Sequence, residues 1–179
     1  MKYNSTLGCI FILVNSYQIF TFDDGETIPL TFLSLTSSVG PTQVLEHILS
    51  KKPQLNSPRE GGLPLTRSIA TGYKDGFDVL LPHFRSVNIP DCYRRTPAFI
   101  AVEYNQESML KELIERGADL EIDNIYGDFP LDIAMRNKKN QLIDMLIRAG
   151  ANTEKWSSNK YVLQMLSIIE QEKSRSSKL

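Results

Sequence analysis

Cysteine and histidine are scarce in this chain: Cys9, Cys92, His47 and His83 are all there are. Two thiols so far apart do not make a disulfide framework. A structural zinc site needs four Cys or His ligands, usually in close pairs, and no such pairs occur. No metal and no cofactor is expected. A glycine-rich phosphate loop is also missing, because Gly61-Gly62 is only a doublet in a turn. Carboxylates are scattered, with no pair set for acid–base work. His47 lies between Leu45 and Ile48, and His83 just beyond Leu81. Both read as surface or turn residues, not general bases. Nucleophile, base and metal chemistry are all poorly supplied, so no enzyme is expected.

Charge of one sign is equally lacking. Twenty Lys and Arg face 21 Asp and Glu, a net charge of −1, so no global field draws the molecule to nucleic acid or an anionic membrane. Arg94-Arg95 and Lys138-Lys139 are doublets, whereas a nucleic-acid face wants a basic stripe with interleaved aromatics. Glu103, Glu112 and Asp128 dilute what basic field there is. No apolar run approaches the roughly 18–20 residues that span a bilayer. Residues 1–26 leave two readings open. Leu7 to Val14 behind Lys2 resembles a signal-peptide core, with Val14 and Ser16 small enough for cleavage after Ser16. Against that, Asn15, Ser16 and Gln18 interrupt the run, which favours a packed leading strand or helix over 10–22. The second reading, preferred, makes the protein a cytoplasmic monomer; the first makes it secreted.

What the chain does have is ordinary globular composition, 41% hydrophobic and 23% charged over 179 residues, enough for one domain with a useful core. It also has a period. Pro64, Pro97 and Pro130 each lie 33 residues after the one before. In that register residues 61–93, 94–126 and 127–159 superpose. Ala101 falls on Ala134, Leu80 on Leu113 and Leu146, Gly117-Ala118 on Gly150-Ala151, and Tyr93 on Tyr126.

Each unit carries the same physical parts. A proline in the first turn of a helix sacrifices no hydrogen bond, and Thr96 before Pro97 can cap that helix. A small residue, Ala101 or Ala134, marks where a neighbouring helix comes close. A second helix comes next, with an apolar stripe at Met109, Leu110, Leu113 and Ile114, repeated at Leu142, Ile143, Leu146 and Ile147. Gly117 and Gly150 stop it in the left-handed conformation, and 119–128 suits an extended hairpin. Beyond the units, Val162, Met165, Leu166 and Ile169 make one face of a helix. Residues 160–179 therefore read as a capping helix with a polar, fraying tail from 170, or as a docking helix for a partner.

The segment RRTPAFIAVEYNQESMLKELIERGADLEIDN resembles an ankyrin repeat, with matches at Thr96, Pro97, Ala101, Leu113, Ile114, Gly117, Ala118, Asp119 and Asn124. The unit at 127–159 matches at Pro130, Leu131, Ala134, Gly150 and Ala151. The unit at 61–93 is weaker, with Phe84-Arg85 in place of Gly-Ala. Residues 27–60 read as a degenerate unit anchored on Pro29, with two surplus residues placed in the Thr36–Pro41 turn. The pattern's histidine is missing: Thr31, Thr66, Phe99 and Asp132 occupy its place. The resemblance implies an all-α stack of helix-turn-helix units over 27–159, with hairpin loops between them.

It also implies a role in holding a protein partner on a concave face built from hairpin tips and first helices. The contact positions would then be Arg59, Glu60, Tyr93, Arg95, Glu103, Tyr104, Tyr126, Asp128, Arg136 and Asn137. Tyr and Arg are enriched among binding hot spots. Tyr93 and Tyr126 recur with the period, so they either contact a partner or pack on adjacent hairpins. Arg95 and Tyr104 do not recur, which favours them as specific contacts. Cys92 at a hairpin tip reads as an inert exposed thiol. Alternative roles are a secreted effector and an adaptor that recruits a substrate to a larger complex.

Overall fold

The structure, a computed structural model, describes residues 19–21, 27–29, 36–38, 40–50 and 64–176. It divides into two compact units, Met1–Ser86 and Val87–Leu179. Arg59, Glu60, Thr31 and residues 1–16 lie outside the described residues.

The first unit begins with two short antiparallel strands, β1 (Ile19–Thr21) and β2 (Thr27–Pro29), with Phe20 opposite Ile28 and Ile19 opposite Pro29. Pro29 closes a strand, where its missing N–H is harmless, and does not open a helix. The anchor chosen for residues 27–60 is thereby corrected. Its position in the sequence imitates the helix-opening prolines, but strand pairing overrides the imitation. Two hydrogen bonds give the true register: Thr71 Oγ1 donates to the Ser38 carbonyl (3.0 Å) and Tyr73 Oη to that of Gly40 (2.5 Å), each spanning 33 residues.

Helix α1 (Thr42–Ser50) buries Leu45, Ile48 and Leu49. After it come α2 (Pro64–Thr71) and α3 (Lys74–Leu80), with α3 packed on both α1 and α2. Gly76 lies under the Tyr73 ring, and a β-carbon there would come within 2.3 Å of it. A 3-10 turn over Leu81–His83 and buried Phe84 end α3 where the other repeats use a glycine. His47 and His83 are exposed.

The second unit carries the clear repeats. Helix α4 (Pro97–Glu103) packs on α5 (Glu107–Glu115), and α6 (Pro130–Arg136) on α7 (Asn140–Arg148). The pairs then stack, α4 against α6 and α5 against α7. Thr96 Oγ1 accepts from the Phe99 N–H at 3.2 Å, capping α4 as its sequence promised. Ala101 and Ala134 are wholly buried where the helices approach. Met109, Leu110 and Leu113, with Leu142, Ile143, Leu146 and Ile147, fill the core. Ile114 is half-buried, at the edge of its stripe.

Gly117 (φ +80°) and Gly150 (φ +94°) have nothing within 4 Å of an added β-carbon, so backbone conformation alone demands glycine there. The turns from first to second helix instead place Asn105 (φ 58°) and Lys138 (φ 54°) in that conformation. Asparagine adopts it with little penalty; the lysine costs more.

A 3-10 turn over Glu154–Trp156 stands where a further hairpin would begin, succeeded by α8 (Lys160–Ser176). Val162 and Met165 are buried and α8 lies against α7. Tyr161 Oη donates to Asp144 at 2.6 Å, and Arg148 donates to both Glu172 oxygens at 2.6 and 3.3 Å. Residues 160–176 thus lie against the last repeat, where a capping helix was expected. The helix continues past Glu170, where a fraying tail was expected, to Ser176, and Glu172 in that stretch accepts from Arg148.

Candidate partner-binding surface

The surface is built on the hairpins of the second unit, which short side chains fix. Asp91 Oδ1 accepts from the N–H groups of Tyr93 and Arg95, each at 2.9 Å. Thirty-three residues on, Asn124 Oδ1 accepts from Tyr126 (2.9 Å) and Asp128 (3.0 Å). An Asp or Asn that bonds the backbone two and four residues ahead replaces lost backbone pairing and tightens the tip. The peak of each tip needs positive φ, supplied by Arg94 (61°) and by Gly127 (77°). Successive hairpins are stitched together. The Ile125 N–H donates to the Tyr93 carbonyl (3.0 Å), and Asn88 Oδ1 accepts from the Asp119 N–H (2.8 Å). Glu121 accepts from the Asn152 N–H at 2.8 Å in the same way.

Tyr93 and Tyr126 each lie two residues beyond the turn-forming Asp91 or Asn124, so the same turn aims both rings. Tyr126 is 79% exposed, so most of its ring faces away from the protein. Tyr93 is half-exposed, its ring 5.1 Å from the Arg95 guanidinium. Tyr104, just after α4, is half-exposed as well, and Asn137 holds the matching exposed place after α6. Ile125, not singled out by sequence, adds a half-exposed apolar side chain beside Tyr126.

The four charged candidates among the described residues pair with one another. Arg95 donates Nε (3.0 Å) and Nη2 (2.8 Å) to Asp91, and Nη1 to Glu103 at 2.7 Å. Burial works against its charge, but the bond and field of Asp91, with Glu103 behind, raise its affinity for the proton above the ordinary value. One repeat later the arrangement recurs with signs exchanged: Asp128 stands at the place of Arg95, Arg136 at that of Glu103, and they bond at 2.6 Å. Arg95 is therefore a brace for its hairpin, and truncating it would loosen the tip as well as remove a contact. The sequence signal for this was available: opposite charges eight residues apart in both units, one pair reversed.

The histidine position also finds an answer. Phe99 and Thr66 are buried there, and Asp132 is buried too, but with a built environment. Its carboxylate accepts from the Phe129 N–H (3.1 Å), Lys155 Nζ (2.8 Å) and Trp156 Nε1 (2.8 Å). Burial pushes the carboxyl up, but the Lys155, Phe129 and Trp156 bonds together outweigh it and leave it below the ordinary range. Asp132 thus ties the closing turn to α6. Sequence reasoning missed Lys155 and Trp156 because they lie 23 and 24 residues downstream, outside any repeat motif.

Among the described residues no group of His, Cys, Asp and Glu is placed to hold a metal ion, and no helix is long and apolar enough to cross a membrane. Cys92 is exposed and free.

Stacked helix pairs joined by braced hairpins, closed by a terminal helix, define an all-α repeat solenoid. The profile of a family described as ankyrin repeats in three copies matches residues 33–124 and 85–157, and the chain belongs to that family. A putative ankyrin repeat protein of Rickettsia felis is 34% identical over 94 residues, covering 51% of this chain and 31% of its own. The putative ankyrin repeat protein YahD of Escherichia coli is 32% identical over 115 residues, 60% of this chain and 57% of its own. Human palmitoyltransferase ZDHHC13 is 33% identical over 100 residues, 50% of this chain but 16% of its own. The matched stretch is thus between 16% and 57% of these relatives' own lengths.

Proposed function

We propose that the second unit binds a protein partner across its hairpin tips and the outer ends of its first helices, and that this binding, with no catalysis, is the function. Ankyrin repeats in general are protein-interaction modules, and stacked repeats present extended binding surfaces. The observation that carries the reading is the set of exposed large side chains, Tyr93, Ile125 and Tyr126 on the hydrogen-bonded hairpins and Tyr104 at the end of α4. Rigid aromatics lose little freedom on binding and supply most of an interface's contact energy. Asn137 and the outer ends of Arg136 and Glu103 form its polar rim. Arg59 and Glu60 extend the proposal on sequence grounds alone.

The test is capture of partners by wild type and by Tyr104→Ala and Tyr126→Ala. Both residues lie outside the core, so the fold should survive and thermal melting should be unchanged. Loss of the captured proteins with either variant supports the surface. Equal recovery with both would remove it. Cytoplasmic residence with an intact N-terminus goes with this role; mass spectrometry finding cleavage after Ser16 would favour a secreted effector.

A further inference from the structure

Among the described residues, ion pairs on the hairpins and the closing turn are, with one exception, lopsided in a way that pairs elsewhere are not. Arg136 is 59% exposed while its partner Asp128 is 17%, and Lys155 is 58% exposed while Asp132 is 3%. Arg94 (against Asp123) and Arg95 (against Asp91) keep the same order. On the helices behind, Lys111 and Glu115 are 70% and 62% exposed, and Arg148 and Glu172 are likewise balanced. The row is formally near neutral, yet in these four pairs the cation is the more exposed partner, with Asp91, Asp128 and Asp132 largely hidden and Asp123 32% exposed. Coulomb energy falls with distance and is screened within about 10 Å. A ligand on this surface therefore meets the guanidinium and ammonium groups first.

The carboxylates also hold the guanidinium groups of Arg94 and Arg136 in place, each through Nη2, so a second anion finds them pre-oriented, with their other edge turned outward for bidentate bonds. Glu103 is the exception, more exposed than Arg95, and it bars an acidic group from that spot.

From this the geometry points to an acidic segment of a protein as the occupant, its carboxylates over Arg94, Arg136 and Lys155 and its apolar side chains against Tyr126 and Ile125. This rests on the docking surface proposed above. Separate cations, each backed by its own carboxylate, suit separate carboxylates. A nucleic acid would need a continuous basic field to release counterions.

The probe is a fluorescein-labelled Glu-Gly repeat peptide about twelve residues long, monitored by anisotropy beside its Gln-Gly and Lys-Gly counterparts and an oligothymidylate of equal length. The Glu-Gly peptide should bind, weaken as salt rises, and bind at least roughly tenfold tighter than the others. Arg94→Gln/Arg136→Gln should reduce its affinity about tenfold or more, with unchanged melting. Arg94→Glu/Arg136→Glu should shift preference to the Lys-Gly peptide, which loss of structure alone would not do. No binding of the Glu-Gly peptide, indifference to the glutamine variant, or tighter binding of the oligonucleotide overturns the inference. Partner capture separates the two failures. Loss with Tyr126→Ala but not with Arg94→Gln/Arg136→Gln keeps the surface and rejects the acidic partner; recovery with both rejects the surface itself.

Discussion

Replacing Asp132 with alanine should unfasten the closing turn. The carboxylate is the acceptor for three donors: the Phe129 N–H, Trp156 Nε1–H and the Lys155 ammonium. Losing the bond to Phe129 removes a helix N-terminal partner, which costs about 1 kcal/mol. Leaving the indole N–H without its acceptor costs about 1–2 kcal/mol, at the low end because Trp156 is only half-buried and water can reach it. Lys155 is largely exposed, so its pairing adds less than about 1 kcal/mol. Together Asp132→Ala should cost roughly 2–3 kcal/mol, a melting fall of roughly 5–10 °C for a chain of this size. Asp132→Asn keeps one acceptor oxygen where the carboxylate uses both, so one side of the site turns donor against donor, and it should cost about 1–2 kcal/mol, still less than alanine.

The assay is built in, because Trp156 is the single tryptophan of the chain. Its emission should move to the red in the alanine variant before any denaturant is added. The carboxyl titrates below its ordinary value when folded. Its contribution is therefore present above the unfolded carboxylate range near about 4 and is lost as pH falls through the lower folded value. The asparagine variant should lack that share of the acid-unfolding limb. An alanine variant with unshifted emission and a stability change under about 0.5 kcal/mol would refute the tether.

Three further outcomes are expected. Leu113→Ala, at a side chain with no exposed area, should cost about 2–5 kcal/mol in urea unfolding; an unmoved midpoint would mean that Leu113 is not core. Gly117→Ala should cost only about 1–2 kcal/mol, from left-handed backbone alone, because open space surrounds the site; a larger loss would reveal crowding. Tyr161, bonded to Asp144 and so pushed up to about 12, should ionise last in an alkaline absorbance titration. The stability it adds is full below the ordinary tyrosine value near about 10 and lost as pH rises through the folded value. Absence of a late-titrating tyrosine, or its persistence in Tyr161→Phe, would contradict the bond.

The repeat, its helices and its stops were legible in the sequence because each rests on local physics. Proline at a first turn, an apolar stripe every three or four residues, and glycine at a left-handed stop act over one or two turns, and a fixed period multiplies the signal. Pro29 shows the limit. Locally it looks like its counterparts, and only pairing with Ile19 makes it the end of a strand. The site was legible in part. Exposed tyrosines at hairpin tips come from the turn chemistry of Asp91 and Asn124. That Arg95 bonds both Asp91 and Glu103, and so serves the scaffold, was signalled only by their opposite charges four and eight residues away.

By itself, then, the sequence determined the kind of fold: a 33-residue unit of two helices that cannot bury its apolar side alone and so must stack. Tertiary structure decided which charges are spent within the protein and which face outward, and how the stack closes at Asp132, Lys155 and Trp156. The reason is one of distance. Periodicity encodes neighbours along a helix, whereas the tie at Asp132 depends on Lys155 and Trp156, 23 and 24 residues away, which only folding brings within 3 Å of it.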